Sequence, residues 1–166
     1  MIALKIEEIK EFTSGLFVGT MFDRFLLREA TIITFNTFTI DGHIKQGYYS
    51  EQELEEHKIE DLSAWAVLKP VCFTLIKGKK LPGSFQITLQ LGPADMEEFL
   101  LRSQVGLAAE QISGLYVNIR YEEGSLYCVT GTSLKIFTLD KAIETEWDEY
   151  TRIFLRQEGF TYTENC

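Results

Sequence analysis

Residues 115–140 read LYVNIRYEEGSLYCVTGTSLKIFTLD. Leu115, Val117, Ile119 and Tyr121 alternate with polar neighbours, and a second alternating run starts at Leu126. Between them stands Glu122-Glu123-Gly124. Period-two alternation on both sides of a short glycine-containing loop predicts a β-hairpin with one buried face. The second arm runs through Gly131, a candidate bend or bulge, to Leu134 and Ile136, and then meets Asp140. Asp140 is placed to cap a final helix, in which Ile143, Trp147, Tyr150 and Phe154 fall on one stripe. Glu144, Glu146, Asp148 and Glu149 are expected mostly on its water side, and residues 159–166 are expected to trail.

Upstream, Phe85, Ile87, Leu89 and Leu91 alternate with Gln86, Thr88 and Gln90, which predicts a half-buried strand over Ser84–Leu91. Gly92-Pro93 opens a helix with Met96, Phe99 and Leu100 inward, and Gly106 is a natural stop. The run Ala66–Ile76 is more continuously apolar and reads as a buried strand, with Pro70 at its start or at a bulge. Ser50 with Glu53 is a capping-box pattern for a short acidic helix over Glu51–His57. Arg24–Phe35 and Phe38–Tyr49 are rich in residues that suit a pleated surface, and Asp41-Gly42 is the strongest hairpin signal between strands. A bulge or kink is expected near Asn36. Residues 2–6 predict a short strand, and Ile9, Phe12 and Leu16 predict a helix over Glu7–Phe17.

The expected fold is therefore α+β: a mainly antiparallel sheet of about six to eight strands with three to four helices, in one domain over residues 1–166. The order strand–helix–hairpin occurs twice, with a half boundary near residues 50–65. Short echoes accompany it: FLLR at Phe25–Arg28 and Phe99–Arg102, FTID at Phe38–Asp41 and FTLD at Phe137–Asp140.

Composition narrows the function classes. At 166 residues and 45% hydrophobic, the chain is long enough to bury a core. Its apolar runs stop well short of the ~20 residues that span a bilayer, and Glu7 and Glu8 interrupt any secretory pattern at the start. The expectation is cytoplasmic, with no membrane. Cys72 and Cys128 lie in apolar runs and Cys166 is the last residue; three cysteines without close spacing give neither a disulfide framework nor a zinc motif. A net charge of −9 argues against a protein that coats nucleic acid non-specifically.

No catalytic residue, metal site or cofactor motif is assigned. Neither a phosphate-binding glycine loop nor a nucleophile elbow occurs. His57 and Glu53 share a helix face, which is the geometry of a solvated pair as readily as of two metal ligands. The one local charge signal is basic. Leu62–Ala94 contains no acidic residue but holds Lys69, Lys77, Lys79 and Lys80. Lys77, Lys79 and Lys80 fall where a hairpin tip would present them, and they are the candidate anion- or partner-binding residues. Surface lysines of this kind also serve plain solubility.

Two resemblances add to this reading. The stretches EATIITFNTFTIDGHI (29–44), PVCFTLIKGKKLPG (70–83) and GTSLKIFTLDKAIETEWDE (131–149) resemble a family of proteins of unknown function from anaerobic Gram-positive bacteria, which implies no activity, cofactor or catalytic residue. Locally, Phe85–Phe137 is similar in layout to a module of the bacterial sliding clamp, the polymerase III beta subunit. Glu122-Glu123-Gly124 and Thr132-Ser133-Leu134-Lys135-Ile136 stand at its acidic turn and closing strand, with Ser133 where the clamp carries Asp. That likeness implies two strand–helix–hairpin halves and DNA as a partner. The expected function is a non-enzymatic binding or scaffold module with a protein partner, and in its narrowest form a reduced clamp-like one. The alternative is a small enzyme or ligand-binding protein whose pocket is assembled from distant residues. A pocket of converging titratable groups would distinguish it.

Overall fold

The computed structural model describes residues 1–78 and 82–165. Seven strands form one antiparallel sheet: β1 (Ala3–Ile6), β2 (Phe25–Ile33), β3 (Thr37–Asp41), β4 (Ser84–Leu91), β5 (Ile112–Glu122), β6 (Ser125–Leu134) and β7 (Tyr162–Asn165). Their order across the sheet is β3-β2-β4-β5-β6-β1-β7. Five α-helices complete the described chain: α1 (Ile9–Phe17), α2 (Glu51–Glu56), α3 (Trp65–Ile76), α4 (Pro93–Ser103) and α5 (Ala142–Gln157). The α+β expectation with a mainly antiparallel sheet holds.

The hairpin read from residues 115–140 is β5–β6, with Ile119 opposite Cys128 and Tyr121 opposite Leu126. Its turn works because Glu123 (φ 52) and Gly124 (φ 76) both take the left-handed conformation that a two-residue hairpin needs. Alternation then sorts the sheet into two unlike faces. One row, Leu4–Cys128–Ile119–Ile87–Ala30, crosses five strands and is fully buried. The neighbouring row, Lys5–Tyr127–Arg120–Gln86–Thr31, points the other way. Buried residues of α1, α3, α4 and α5 all join the core on the first face: Phe12, Leu16, Trp65, Cys72, Phe99 and Trp147 among them. The second face keeps Lys5, Gln86 and Arg120 exposed.

Several local expectations are corrected. The run Ala66–Ile76 is not a strand but belongs to helix α3, with Pro70 inside it. Trp65, Leu68, Cys72 and Leu75 recur at helical spacing, and α3 lies against β2 and α1, with the Trp65 indole donating to the Leu16 carbonyl at 2.9 Å. Pro70 costs an α-helix one hydrogen bond, to the carbonyl of Ala66, and Ala66 lies on the exposed side of the helix.

Asp41-Gly42 is not a hairpin turn either: β2 and β3 are joined at Thr34–Asn36, and β3 ends at Asp41 rather than running to Tyr49. Gly42 is required for space. A Cβ there would lie 1.8 Å from the Leu27 carbonyl oxygen, because residues 42–44 leave β3 to pair with residues 61–63. The kink foreseen near Asn36 is the bend at Thr34–Asn36 that joins β2 to β3, and a separate bulge of β2 against β4 lies between Leu27 and Glu29.

Residues 159–166 do not simply trail: Tyr162–Asn165 form β7 beside β1, and Cys166 lies outside the described residues. Thr161 N–H is held by the Glu8 carboxylate, and Glu164 is held by Arg152 at 2.6 Å and 3.0 Å. On α5, Asp148 faces inward rather than to water. It accepts the Thr130 hydroxyl at 2.6 Å, while Thr130 Oγ1 accepts the Ile2 N–H at 2.9 Å. Asp140, expected to cap α5, stands one residue before the cap position, which Lys141 takes; its carboxylate accepts the Ala142 N–H at 2.9 Å.

The strand–helix–hairpin order does occur twice, as β1-α1-β2-β3 and β4-α4-β5-β6. The two sets pair differently. β4 and β5 are neighbours, whereas three strands separate β1 from β2.

Candidate partner-binding interface

Helix α3 carries the most unusual surface of the molecule. Its inward side is Trp65 and Cys72, fully buried, flanked by Leu68, Leu75 and Ile76. Its outward side is Ala66, Val67, Pro70, Val71 and Thr74, all exposed, with Val67 at 68% and Val71 at 49%. These five fall at i, i+1, i+4, i+5 and i+8, one stripe over about two turns. No charge interrupts it. A surface helix ordinarily turns a polar face to water, and a helix apolar all round is ordinarily buried on all sides.

Charge around the stripe is one-sided. Lys69 lies at the flank, largely covered, donating to the Gly19 carbonyl at 2.6 Å and pairing with Asp23 at 2.5 Å. Lys77 caps the helix, its N–H on the Phe73 carbonyl and its ammonium 5.9 Å above the Phe73 ring. It therefore sits at a helix end rather than a hairpin tip, which corrects the setting foreseen for the basic loop. Lys79 and Lys80 lie outside the described residues.

The other residues weighed in the sequence are structural or solvated. Glu53 is used in the capping box, accepting the Ser50 N–H while the Ser50 hydroxyl accepts the Glu53 N–H. His57 follows as the residue closing α2. His43 is exposed and bound to Asp41 through both its N–H and its ring, contacts that hold the Asp41 carboxyl below its usual value. Burial pushes the Cys72 thiol up to about 11 and the Cys128 thiol higher still, which suppresses the reactive thiolate. Among the described residues, no three His, Cys, Asp or Glu side chains converge as metal ligands, and no helix is long and apolar enough to cross a membrane.

The sequence reading missed the α3 stripe because it took the continuous apolar run of residues 66–76 for a buried strand. The signal was present: 65, 68, 72 and 75 mark one side of a helix, and what remains between them is apolar as well.

No curated protein and no solved structure matches the chain. A family model does match, over residues 15–163, from within α1 to β7 and across α3 and its surface stripe. The chain belongs to that family, the Family of unknown function (DUF5721).

Proposed function

We propose that this protein is a non-enzymatic binding module that docks a partner protein on the exposed face of α3. The observation that carries the proposal is the helix itself, uncharged along its outward stripe and held at the surface with Val67 and Val71 open. Fully burying a side chain of this size contributes about 1.5–3 kcal/mol, and docking would gain a part of that from each valine, since both are already partly covered. The flanking charge selects the occupant. The protein is acidic overall, but Leu62–Ala94 has no carboxylate and Lys77 closes the helix. A partner segment with an apolar face bordered by Asp or Glu fits this surface, whereas a basic one meets only Asp23, which Lys69 already pairs.

Nuclear magnetic resonance with two synthetic helical peptides tests this, one pairing a leucine face with glutamates and the other with lysines. The leucine/glutamate peptide is expected to shift α3 amides, and Val67→Asp with Val71→Asp to abolish the effect. Equal response to both peptides, or none at α3, would overturn the proposal. Duplex DNA is the control that separates protein from nucleic acid. DNA binding that weakens with salt and is lost in Lys77→Glu but kept in the valine variants would replace a protein partner by a phosphate backbone. A concentration-dependent dimer that the valine variants dissolve would assign the face to a second copy instead.

A further inference from the structure

A cleft of about 440 Å³ lies between α4 and α5. Clefts of roughly 300–1,000 Å³ with an apolar floor and a few converging polar groups are the usual form of a small-ligand site. This one has such a floor. Phe99, Tyr150 and Phe154 line it, Tyr150 stacks on Trp147 at 5.1 Å, and Phe99 meets Tyr150 edge-on at 5.6 Å.

Most charges at its rim are already matched. Arg24 pairs with Asp95, Arg102 with Glu98 at 2.7 Å, and Glu149 with Arg152 at 3.2 Å. Glu146 is the exception. It is half-buried at the cleft, and among the described residues no cation pairs with it. The uncompensated charge in the cleft is therefore negative, and it sits beside aromatic rings. Burial and the nearby Asp95 carboxylate raise the Tyr150 phenol, so that side chain stays neutral and adds no charge of its own.

We infer that the α4–α5 cleft binds an organic cation with an apolar body, its ammonium or guanidinium against Glu146 and its hydrocarbon part on the aromatic floor. A carboxylate and ring faces together recognise such a group better than either alone, through charge and cation–π attraction. Two sources carry this chemistry: a free amine, or a lysine or arginine side chain of a peptide. The site is independent of α3, so either assignment can fail without the other.

The test follows the indole N–H resonances of the full chain during titration with phenethylamine. Trp147 donates its indole N–H to the Tyr116 carbonyl and touches the cleft through Tyr150, while Trp65 donates to Leu16 on the far helices and serves as the internal control. Phenethylamine is expected to shift Trp147 and leave Trp65 in place. Glu146→Gln should weaken binding tenfold or more, whereas Glu97→Gln, on α4 but outside the cleft, should leave it unchanged. A Lys-Phe dipeptide amide forms the second arm. Response to the dipeptide alone assigns the cleft to a basic peptide segment, and response to both shows that the free cation suffices. No shift at Trp147 with either ligand, equal binding of 3-phenylpropionate, or full binding by Glu146→Gln would overturn the inference.

Discussion

Replacing Gly42 by Ala probes the junction where the chain leaves the sheet edge. The added Cβ would lie 1.8 Å from the Leu27 carbonyl oxygen and 2.6 Å from its carbon. Such carbons do not approach closer than 3.0 Å, so the strands must part by about 1.2 Å (3.0 − 1.8). The obstacle is backbone, with no flexible side chain to swing aside. Gly42 also donates to the Arg28 carbonyl at 3.0 Å and accepts from Ser63 N–H at 2.8 Å, and parting the strands breaks both bonds. Two hydrogen bonds at about 1 kcal/mol each, with overpacking strain of about 1–3 kcal/mol, give a loss of about 3–5 kcal/mol. In urea, with a slope of about 2 kcal/mol/M, the unfolding midpoint should fall by about 1.5–2.5 M. Gly131→Ala is the matched control. Its Cβ would stand 3.8 Å from Tyr116, an ordinary contact, so its stability should stay within about 1 kcal/mol of wild type. Gly42→Ala as stable as Gly131→Ala would refute the close-approach argument.

Two further outcomes follow from the buried polar contacts and the sheet edge. Thr130→Val removes the acceptor for the Ile2 N–H and one of the donors to Asp148, which keeps the N-terminal ammonium at 3.4 Å; a cost of about 1–3 kcal/mol is expected by chemical denaturation, and a neutral variant would refute the role of this contact. Acidification should release β7 first, as read by hydrogen exchange. The Glu8 and Glu164 carboxyls sit below their ordinary 4.5 in the folded chain, lowered chiefly by hydrogen bonds from Thr161 and from Arg152 respectively. Their stabilisation is therefore complete above about pH 4.5 and fades as pH falls through the lower folded values. Uniform exchange across the sheet on acidification would count against that sequence of events.

Residues whose environment is set by neighbours in sequence were legible. Phe85–Leu91 and Leu115–Leu134 alternate cleanly because one face of each strand is buried, and the Glu123-Gly124 turn follows from local backbone conformation. Where distant chain decides the outcome, local pattern misled. Gly42 looks like a turn residue, but its need for space comes from Leu27. Tyr162–Asn165 look like a loose end, yet β1, 160 residues away, provides an edge to pair with (Ala3 opposite Asn165 differ by 162). Asp148 reads as a wet-side acid, but Thr130 on β6 draws it inward. Arg24, Asp95, Glu146 and Tyr150 are spread over three parts of the chain, so no spacing rule could gather the cleft, whereas the α3 stripe was in reach of a helical reading.

The placement of β1 between β6 and β7 sets the timetable of synthesis. Ile6 must find Leu126, which is 120 residues later (126 − 6). At about 5–20 residues per second, the first strand waits about 6–24 s after leaving the ribosome before its partner exists. During that interval Leu4 and Ile6, fully covered in the finished sheet, have no β6 to cover them. A strand made long before its partner finds its place late, and a ribosome-bound chaperone has that long to hold it.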